Sequence, residues 1–376
     1  MTDAREQSPA TYSAAGVDYD ALDAGKRLAM AKALATSPLL AARGGRALDA
    51  SRGEPAFVFE FDERTFAFVL EGLGTKSIVA RHVLEQLGVN RFADVAYDAV
   101  AAILNDLCCV GVLPLVVNAY FATGASEWYS QPARTAALLD GWSAACADAG
   151  CAWGGGESPS LPGLLDERDI ELAGSAVGAM PRGRAAILGE QLRPGDEIVL
   201  VASSGLHANG ASLARLVAGR LPDGYATKLP SGATFGERLL DPSVMYVPLV
   251  QALLERGLPV SYISHITGHG LLKLMRPTKS LTYRISELPP VPEVLSFLVA
   301  ETGLDAHAAY STFNMGSGYA IYCAAGAGAA VAELAVELGL SALLAGVVEE
   351  GPRQVVLEPV GVRYAGEELE LSVEQG

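Results

Sequence analysis

Phe66-Ala67-Phe68-Val69-Leu70-Glu71-Gly72-Leu73-Gly74-Thr75-Lys76 is the stretch around which the chain is organised. Its first five residues form an apolar run that reads as a buried strand. A carboxylate, two glycines, a hydroxyl and an ammonium follow between Glu71 and Lys76. Glycine lets backbone N–H groups approach a ligand closely. A nest of such groups beside Lys76 suits a polyphosphate. A carboxylate next to phosphates calls for a cation between the like charges, usually Mg²⁺. The glycine spacing is neither that of a P-loop nor that of a dinucleotide fingerprint. Taken alone, a strand-ending glycine turn with a surface lysine is the simpler account, so the rest of the chain decides.

The chain has 376 residues, enough for two domains or one large one. Half of the residues are apolar and 19% are charged, a globular balance. The formal charge of −16 excludes a nucleic-acid partner, whose phosphates it would repel, but not a small phosphorylated substrate held by local cations. Cys108, Cys109, Cys146, Cys151 and Cys323 show no zinc or disulfide spacing, which points to a reducing compartment. The N-terminus lacks the apolar core of a signal peptide, and no apolar run spans a membrane. These features predict a soluble, cytoplasmic protein with no membrane partner.

Working outward, 56–61 and 66–70 read as two strands joined at Asp62-Glu63-Arg64. Helices are predicted over 79–87, ending near Gly88, over 94–109 and over 131–149, and strands over 112–121 and 170–180. Asp98 and Asp106 lie eight residues apart on the 94–109 helix, about 80° apart around its axis, so both can border one site. Asp106 sits within Ile103-Leu104-Asn105-Asp106-Leu107-Cys108, where a carboxylate needs a partner: a metal, a cluster of N–H groups or a salt bridge. Gly154-Gly155-Gly156-Glu157 is more unusual than a plain turn, and Glu157 is a candidate metal or phosphate-side ligand. Pro181-Arg182-Gly183-Arg184 reads as a linker. Beyond it a strand over 196–202, the loop Ser203–Gly210 and a helix from Ser212 follow one another, an order that presents N–H groups to a phosphate. Ser261–Gly270 reads as a glycine-bearing loop, then a strand over 281–286, a helix over 291–303 and a strand over 319–324. His265 and His269 are four apart, but Gly268 and Gly270 argue against the helix that a metal pair would need.

Together these loops resemble the aminoimidazole ribonucleotide synthetase (phosphoribosylformylglycinamidine cyclo-ligase) family, from Tyr12 to about residue 324 and in unbroken order. Ala15-Gly16-Val17-Asp18 is similar to its AGVD, Gly72–Lys76 to its DGVGTK, and Asn105-Asp106-Leu107 with Tyr120–Gly124 to its NDL and YYATG segments. Gly155-Gly156-Glu157-Ser158 with Leu161-Pro162-Gly163 is similar to GGETAEMPG, and Ser203–Gly210 to SSGxHSNG. His265–Gly268 and Thr312–Gly316 are similar to HITGGG and TFNMG.

The resemblance implies an α/β protein of α+β type, with two domains that each hold a mixed β-sheet flanked by helices. Residues 1–182 would bind ATP and pair into a homodimer, and residues 183–376 would bind substrate and nucleotide. It implies ATP and Mg²⁺ as cofactors and a small phosphorylated substrate. Lys76, Gly72, Gly74, Thr75, Asn105, Gly155 and Gly156 would surround the nucleotide. Glu71, Asp98 and Asp106 would hold Mg²⁺. Ser204, His207, Asn209, His265, Thr267, Gly268 and Asn314 would surround the substrate, and Lys76, Asp106, His207 and Glu157 would carry the chemistry. Departures from the family pattern are Glu71 for aspartate, Ala119 for aspartate, Ser160 for glutamate and His269 for glycine. They leave three readings: the cyclo-ligase of purine biosynthesis, a divergent paralogue phosphorylating another amide or phosphate-bearing molecule, and a nucleotide-binding regulatory subunit.

Overall fold

A computed structural model describes residues 19–369, so the Ala15–Asp18 segment lies outside the described residues. The first half builds a six-stranded sheet from β1 (Gly45–Ala47), β2 (Phe57–Phe61), β3 (Arg64–Gly72), β4 (Leu113–Thr123), β5 (Ala152–Glu157) and β6 (Ile170–Ala179). Its order is β1-β2-β3-β6-β4-β5, antiparallel except for the parallel β4–β5 pair. The second half builds a seven-stranded sheet from β7 (Glu197–Ala202), β8 (Val260–His265), β9 (Leu281–Ile285), β10 (Ser317–Cys323), β11 (Ala342–Glu350), β12 (Gln354–Leu357) and β13 (Val362–Ala365). Its order is β13-β12-β9-β11-β7-β10-β8, with β12–β9 as the parallel pair. Both sheets are therefore mixed, and with their helices they make an α+β fold. Among the described residues, no helix is long and apolar enough to cross a membrane.

The β2–β3 hairpin closes through Asp62 and Glu63, whose φ angles of 49° and 58° give the local twist that a two-residue hairpin turn needs. Period-two alternation then sorts β3: Ala67 and Val69 enter the core, while Phe68 and Leu70 stay exposed on the other face. Leu115 and Tyr120 of β4 are exposed as well. The buried face of the sheet is covered by helices Phe92–Cys108 and Pro132–Asp148. These two approach so closely that a Cβ on Gly141 would lie 2.0 Å from the Ala93 carbonyl oxygen.

The segment Ser261–His265, expected in a loop, is strand β8. The glycines that follow it suggested a loop, but in the strand each polar group finds an internal partner. Ser261 Oγ donates to Asp196 Oδ2 (2.7 Å), Tyr262 OH to Glu54 Oε2 (2.7 Å) and Ser264 Oγ to the Lys273 carbonyl (2.9 Å). Satisfied in this way, polar side chains can be buried in a sheet. The chain leaves the strand only at Ile266 and then forms a short 3₁₀ turn, Gly270–Met275.

The helix contact at Gly141 generates a test. Gly141→Ala is expected to destabilise the fold by about 1–3 kcal/mol through overpacking, read from urea denaturation at constant m-value.

Candidate functional site

A belt of buried ionisable groups runs between the two sheets. Helix Phe92–Cys108 runs along it and carries Asp98, Asn105 and Asp106 on its buried surface, with Asp106 at one end of the belt. Asp106 Oδ1 accepts a 2.6 Å hydrogen bond from His265 Nδ1 at the end of β8. Burial opposes ionisation of Asp106, but the hydrogen bond and charge of His265, with Lys273 and Arg276, hold it below the ordinary carboxylate range. Glu71, at the end of β3, is pushed up to about 7 by burial and then by the charge and hydrogen bond of Asp106, against the pull of Lys273 and Arg276. The two carboxyl groups share a proton more readily than they share two negative charges.

Lys273 sits on the 3₁₀ turn and donates to Thr267 Oγ1. Burial and the neighbouring Arg276 push its ammonium down to about 8, opposed by Asp106 and Glu71. Arg276 donates to the Gly53 carbonyl at 3.0 and 2.8 Å and faces Glu54 at 3.8 Å. Burial raises Glu54 above the carboxylate range despite Arg276 and the Tyr262 hydroxyl.

Lys76 and Asp98 form the other end. The Lys76 ammonium lies 2.5 Å from Asp98 Oδ2 with both side chains fully buried, and the Ser243 N–H donates to Asp98 Oδ1 at 2.6 Å. Lys76 opens its helix, Lys76–Leu87, directly behind the glycine turn, and Thr75 Oγ1 lies 2.9 Å from Ser212 Oγ. Asp98 therefore stands with Lys76 and does not join Glu71 and Asp106. Eight residues put two side chains on nearby faces but about 12 Å apart along the axis, so each carboxylate meets its own partner.

His207 lies between the two ends. Its φ of 57° turns the ring inward, and the Ser204 N–H donates to Nε2 at 3.1 Å. That bond assigns the proton to Nδ1, which is buried without a partner. Burial, then the charges of His265 and Lys76, hold His207 well below its ordinary pKa, so it stays neutral.

Other expected site residues have structural partners. Asn105 Oδ1 accepts from the Tyr246 N–H (2.8 Å) and its Nδ2 donates to the Val244 carbonyl (2.9 Å), joining the two halves. Asn314 Nδ2 donates to the Gly205 carbonyl (2.8 Å) and Oδ1 accepts from Ser203 Oγ (2.8 Å), which shapes the Ser203–Gly210 loop. Ser204 Oγ donates to the Pro242 carbonyl at 2.6 Å, and Asn209 and Gly268 are half-buried near the same loops. Gly72 and Gly74 remain at the turn, where the Gly74 N–H points to Glu171 Oε1 at 3.4 Å. Gly155, Gly156 and Glu157 lie on the exposed edge strand β5 instead of a loop. Gly156 is required there because a Cβ would lie 2.0 Å from the Ala119 carbonyl oxygen.

Lys273, Arg276 and Glu54 were not anticipated. The signal was a lysine inside Leu271-Leu272-Lys273-Leu274-Met275, the same anomaly that singled out Asp106. The donor set of Glu71 and Asp106 is all oxygen and fits a Mg²⁺ ion that completes its shell from phosphates and water. Among the described residues, no group of three or more His, Cys, Asp or Glu side chains could hold a metal by itself.

The arrangement defines a two-sheet α+β protein with its ionisable groups gathered between the halves. Residues 53–180 match the family "AIR synthase related protein, N-terminal domain", and residues 193–358 match its C-terminal domain. The chain belongs to the AIR synthase-related family. It is 36% identical over 361 residues to the phosphoribosylformylglycinamidine cyclo-ligase of Anaeromyxobacter sp. (strain Fw109-5), covering 93% of this chain and 99% of that one. Identity to the cyclo-ligase of Methanothermobacter thermautotrophicus is 33%, covering 81% and 86%. Among solved structures, the E. coli hydrogenase maturation protein HypE matches with TM-score 0.57 at 21% identity, covering 82% of this chain and 85% of that one. Thiamine-monophosphate kinase from Stenotrophomonas maltophilia K279a matches with TM-score 0.56 at 20% identity, covering 81% and 90%. These two likenesses show the fold.

The raised Glu71 carboxyl has a stability signature. Its folded value of about 7 exceeds the ordinary 4.5, so its contribution is full below 4.5 and lost as pH rises through 7. In EDTA, Glu71→Gln, which mimics the protonated acid, is expected to flatten the stability profile across that window. Urea denaturation of both proteins over a pH series checks this, and parallel profiles would contradict it.

Proposed function

We propose that this chain is an ATP-dependent cyclo-ligase that converts formylglycinamidine ribonucleotide to aminoimidazole ribonucleotide, ADP and phosphate. The observation that carries the reading is the convergence of Glu71, Lys76, Asp106, His207 and His265 on one interdomain belt in a chain of which 93% aligns with a cyclo-ligase. In the reaction the formamide oxygen attacks the γ-phosphorus and ADP leaves. The internal amidine nitrogen then attacks the activated carbon, phosphate departs with the oxygen, and the imidazole ring closes.

Bound Mg²⁺ would supply charge neutralisation at the phosphates, held by Glu71 and Asp106. The protein's own groups do the positioning. His265 keeps Asp106 ionised and oriented. Asp98 fixes Lys76 at the start of its helix, beside the glycine turn. Neutral His207 offers its free Nδ1–H to a substrate acceptor without adding charge. Positioning and electrostatics of this kind carry most of the rate in phosphoryl transfer. In this reading, residues 1–182 bind nucleotide and residues 183–376 bind substrate.

A second reading, phosphoryl transfer to a different amide or phosphate-bearing acceptor, draws support from His269. It occupies a left-handed position, φ 68°, immediately beside Thr267 and Gly268. One assay separates the two. The chain is supplied with ATP, Mg²⁺ and formylglycinamidine ribonucleotide, and ADP and the aminoimidazole product are measured. Product formation that falls about 10²-fold or more in Asp106→Asn and stops with EDTA supports the cyclo-ligase. Nucleotide binding without product supports the second reading, and no nucleotide binding overturns both.

The homodimer of this reading draws support from the open face of the first sheet. Phe68, Leu70, Leu115 and Tyr120 expose apolar surface there, and Leu70 is 70% exposed. A contiguous apolar patch of this kind marks an interface. Leu70→Asp is expected to convert the dimer to a monomer in sedimentation, with the monomer fold retained in circular dichroism.

A further inference from the structure

The proposed reaction leaves Lys273, Arg276 and Glu54 without a task; Arg276 and Glu54 face each other at 3.8 Å, whereas Lys273 has no ion pair among the described residues. It is 8% exposed, and its ammonium donates to Thr267 Oγ1. Among the described residues, no carboxylate is ion-paired with it. Asp106 is engaged by His265, Glu54 by Arg276 and Tyr262, and Asp98 by Lys76. An ammonium has three N–H donors, and lysine charge is rarely buried without a counter-ion. Taking such a charge out of water is costly unless something compensates it.

The backbone that carries Lys273 is fixed. Ser264 Oγ, fully buried in β8, donates to the Lys273 carbonyl at 2.9 Å. Gly270, at φ 50°, packs so tightly that a Cβ would lie 2.2 Å from the Tyr310 carbonyl oxygen. The lysine is therefore held inside the cleft by structure on both sides of it. Burial and the charge of Arg276 act against its ammonium, and the charges of Asp106 and Glu71 act in its favour.

We propose that Lys273, with the Thr267 hydroxyl beside it, is an anion-binding subsite that takes a phosphoryl group. The inference rests on reading this cleft as a phosphoryl-transfer site. Because Lys273 donates to Thr267 Oγ1, the threonine O–H is free to donate onward to the same anion. The nearby carboxylate pair would repel an anion unless a divalent cation lies between them, and phosphate accepts that bridge readily. A compact ammonium suits phosphate as a point charge. The phosphoryl group has two possible sources: the γ-phosphate of the nucleotide or the phosphate monoester of the substrate.

Calorimetric titration of the full chain in Mg²⁺ separates them, with a non-hydrolysable ATP analogue and ribose 5-phosphate as probes. Lys273→Met is expected to bind one probe about tenfold to a hundredfold more weakly, while Lys273→Arg retains most of the affinity. Selective loss of the nucleotide analogue assigns the γ-phosphate, and selective loss of ribose 5-phosphate assigns the monoester. The unliganded Met variant is expected to melt at a higher temperature than the unaltered chain, because an unpaired buried charge has been removed. A lysine that merely holds the fold would give a lower melting temperature and no selective loss. Wild-type binding of both probes by Lys273→Met, or a lowered melting temperature with equal losses in the Arg variant, overturns the proposal. Failure of the unaltered chain to bind either probe overturns the phosphoryl-transfer reading itself. Binding that depends on Lys273 without aminoimidazole formation leaves the subsite standing and removes only the cyclo-ligase assignment.

Discussion

The hydrogen bond from His265 to Asp106 is the constraint on which the rest of the cleft depends. It joins the last turn of helix Phe92–Cys108, in the first half of the chain, to the end of β8 in the second. Next to it, Asn105 bonds the backbone at Val244 and Tyr246, and the Tyr319 hydroxyl donates to the Asn105 carbonyl at 2.7 Å. The two sheets are thus held together through directional polar bonds at one helix end. Buried polar pairs contribute less to net stability than apolar packing would, because desolvation offsets the attraction. Their effect is geometric: a displacement between the halves breaks several bonds at once and leaves groups unpaired, each costing about 1–3 kcal/mol.

That geometry distributes charge unevenly along the belt. Lys76 and Asp98 neutralise each other in a dry, fully buried pair. At the other end Asp106 pairs with His265 and Arg276 faces Glu54, which leaves Glu71 and Lys273 without an ion-pair partner among the described residues. Burial, with the charges of Asp106 and Arg276 respectively, leaves Glu71 raised and Lys273 lowered. Strongly shifted groups concentrate where function requires them. The balanced end fixes the position of a helix start, and the unbalanced end is the one able to respond to an incoming ion or phosphate.

Much of the fold was legible in the residues because it rests on local signals. The β2–β3 hairpin, the helix closing at Gly88 and the long helices show period-two or 3.6-residue patterns with glycine stops. The family resemblance rested on loop motifs whose order survived divergence. What escaped was non-local. Ser261–His265 resembled a loop because hydroxyl partners such as Asp196 and Glu54 lie far away in sequence. The glycines before Glu157 suggested a ligand loop, whereas they form strand β5 and allow its close pairing with β4. Asp98 and Asp106 share nearby faces of one helix, but the axial rise between them of about 12 Å gives each carboxylate its own partner. Lys273 was hidden by its position just past the Ser261–Gly270 stretch, whose histidines and glycines drew attention to themselves.

The position of His207 unites the two ends. Its imidazole is depressed first by burial and then by the charges of His265 and Lys76, so it registers both without bonding to either. A positive charge on His207 would add a third cation to a dry space, which the low dielectric makes costly. The ring is thereby kept neutral, and its Ser204 bond confines the remaining proton to Nδ1. A neutral donor with no protein partner, set between a balanced ion pair and an unbalanced cluster, can recognise an uncharged acceptor beside a charged one. That is the combination presented by an amide on a phosphorylated molecule. The same arrangement disfavours a fully anionic ligand spread along the whole belt, since only the Lys273 end has positive charge not already engaged by a carboxylate.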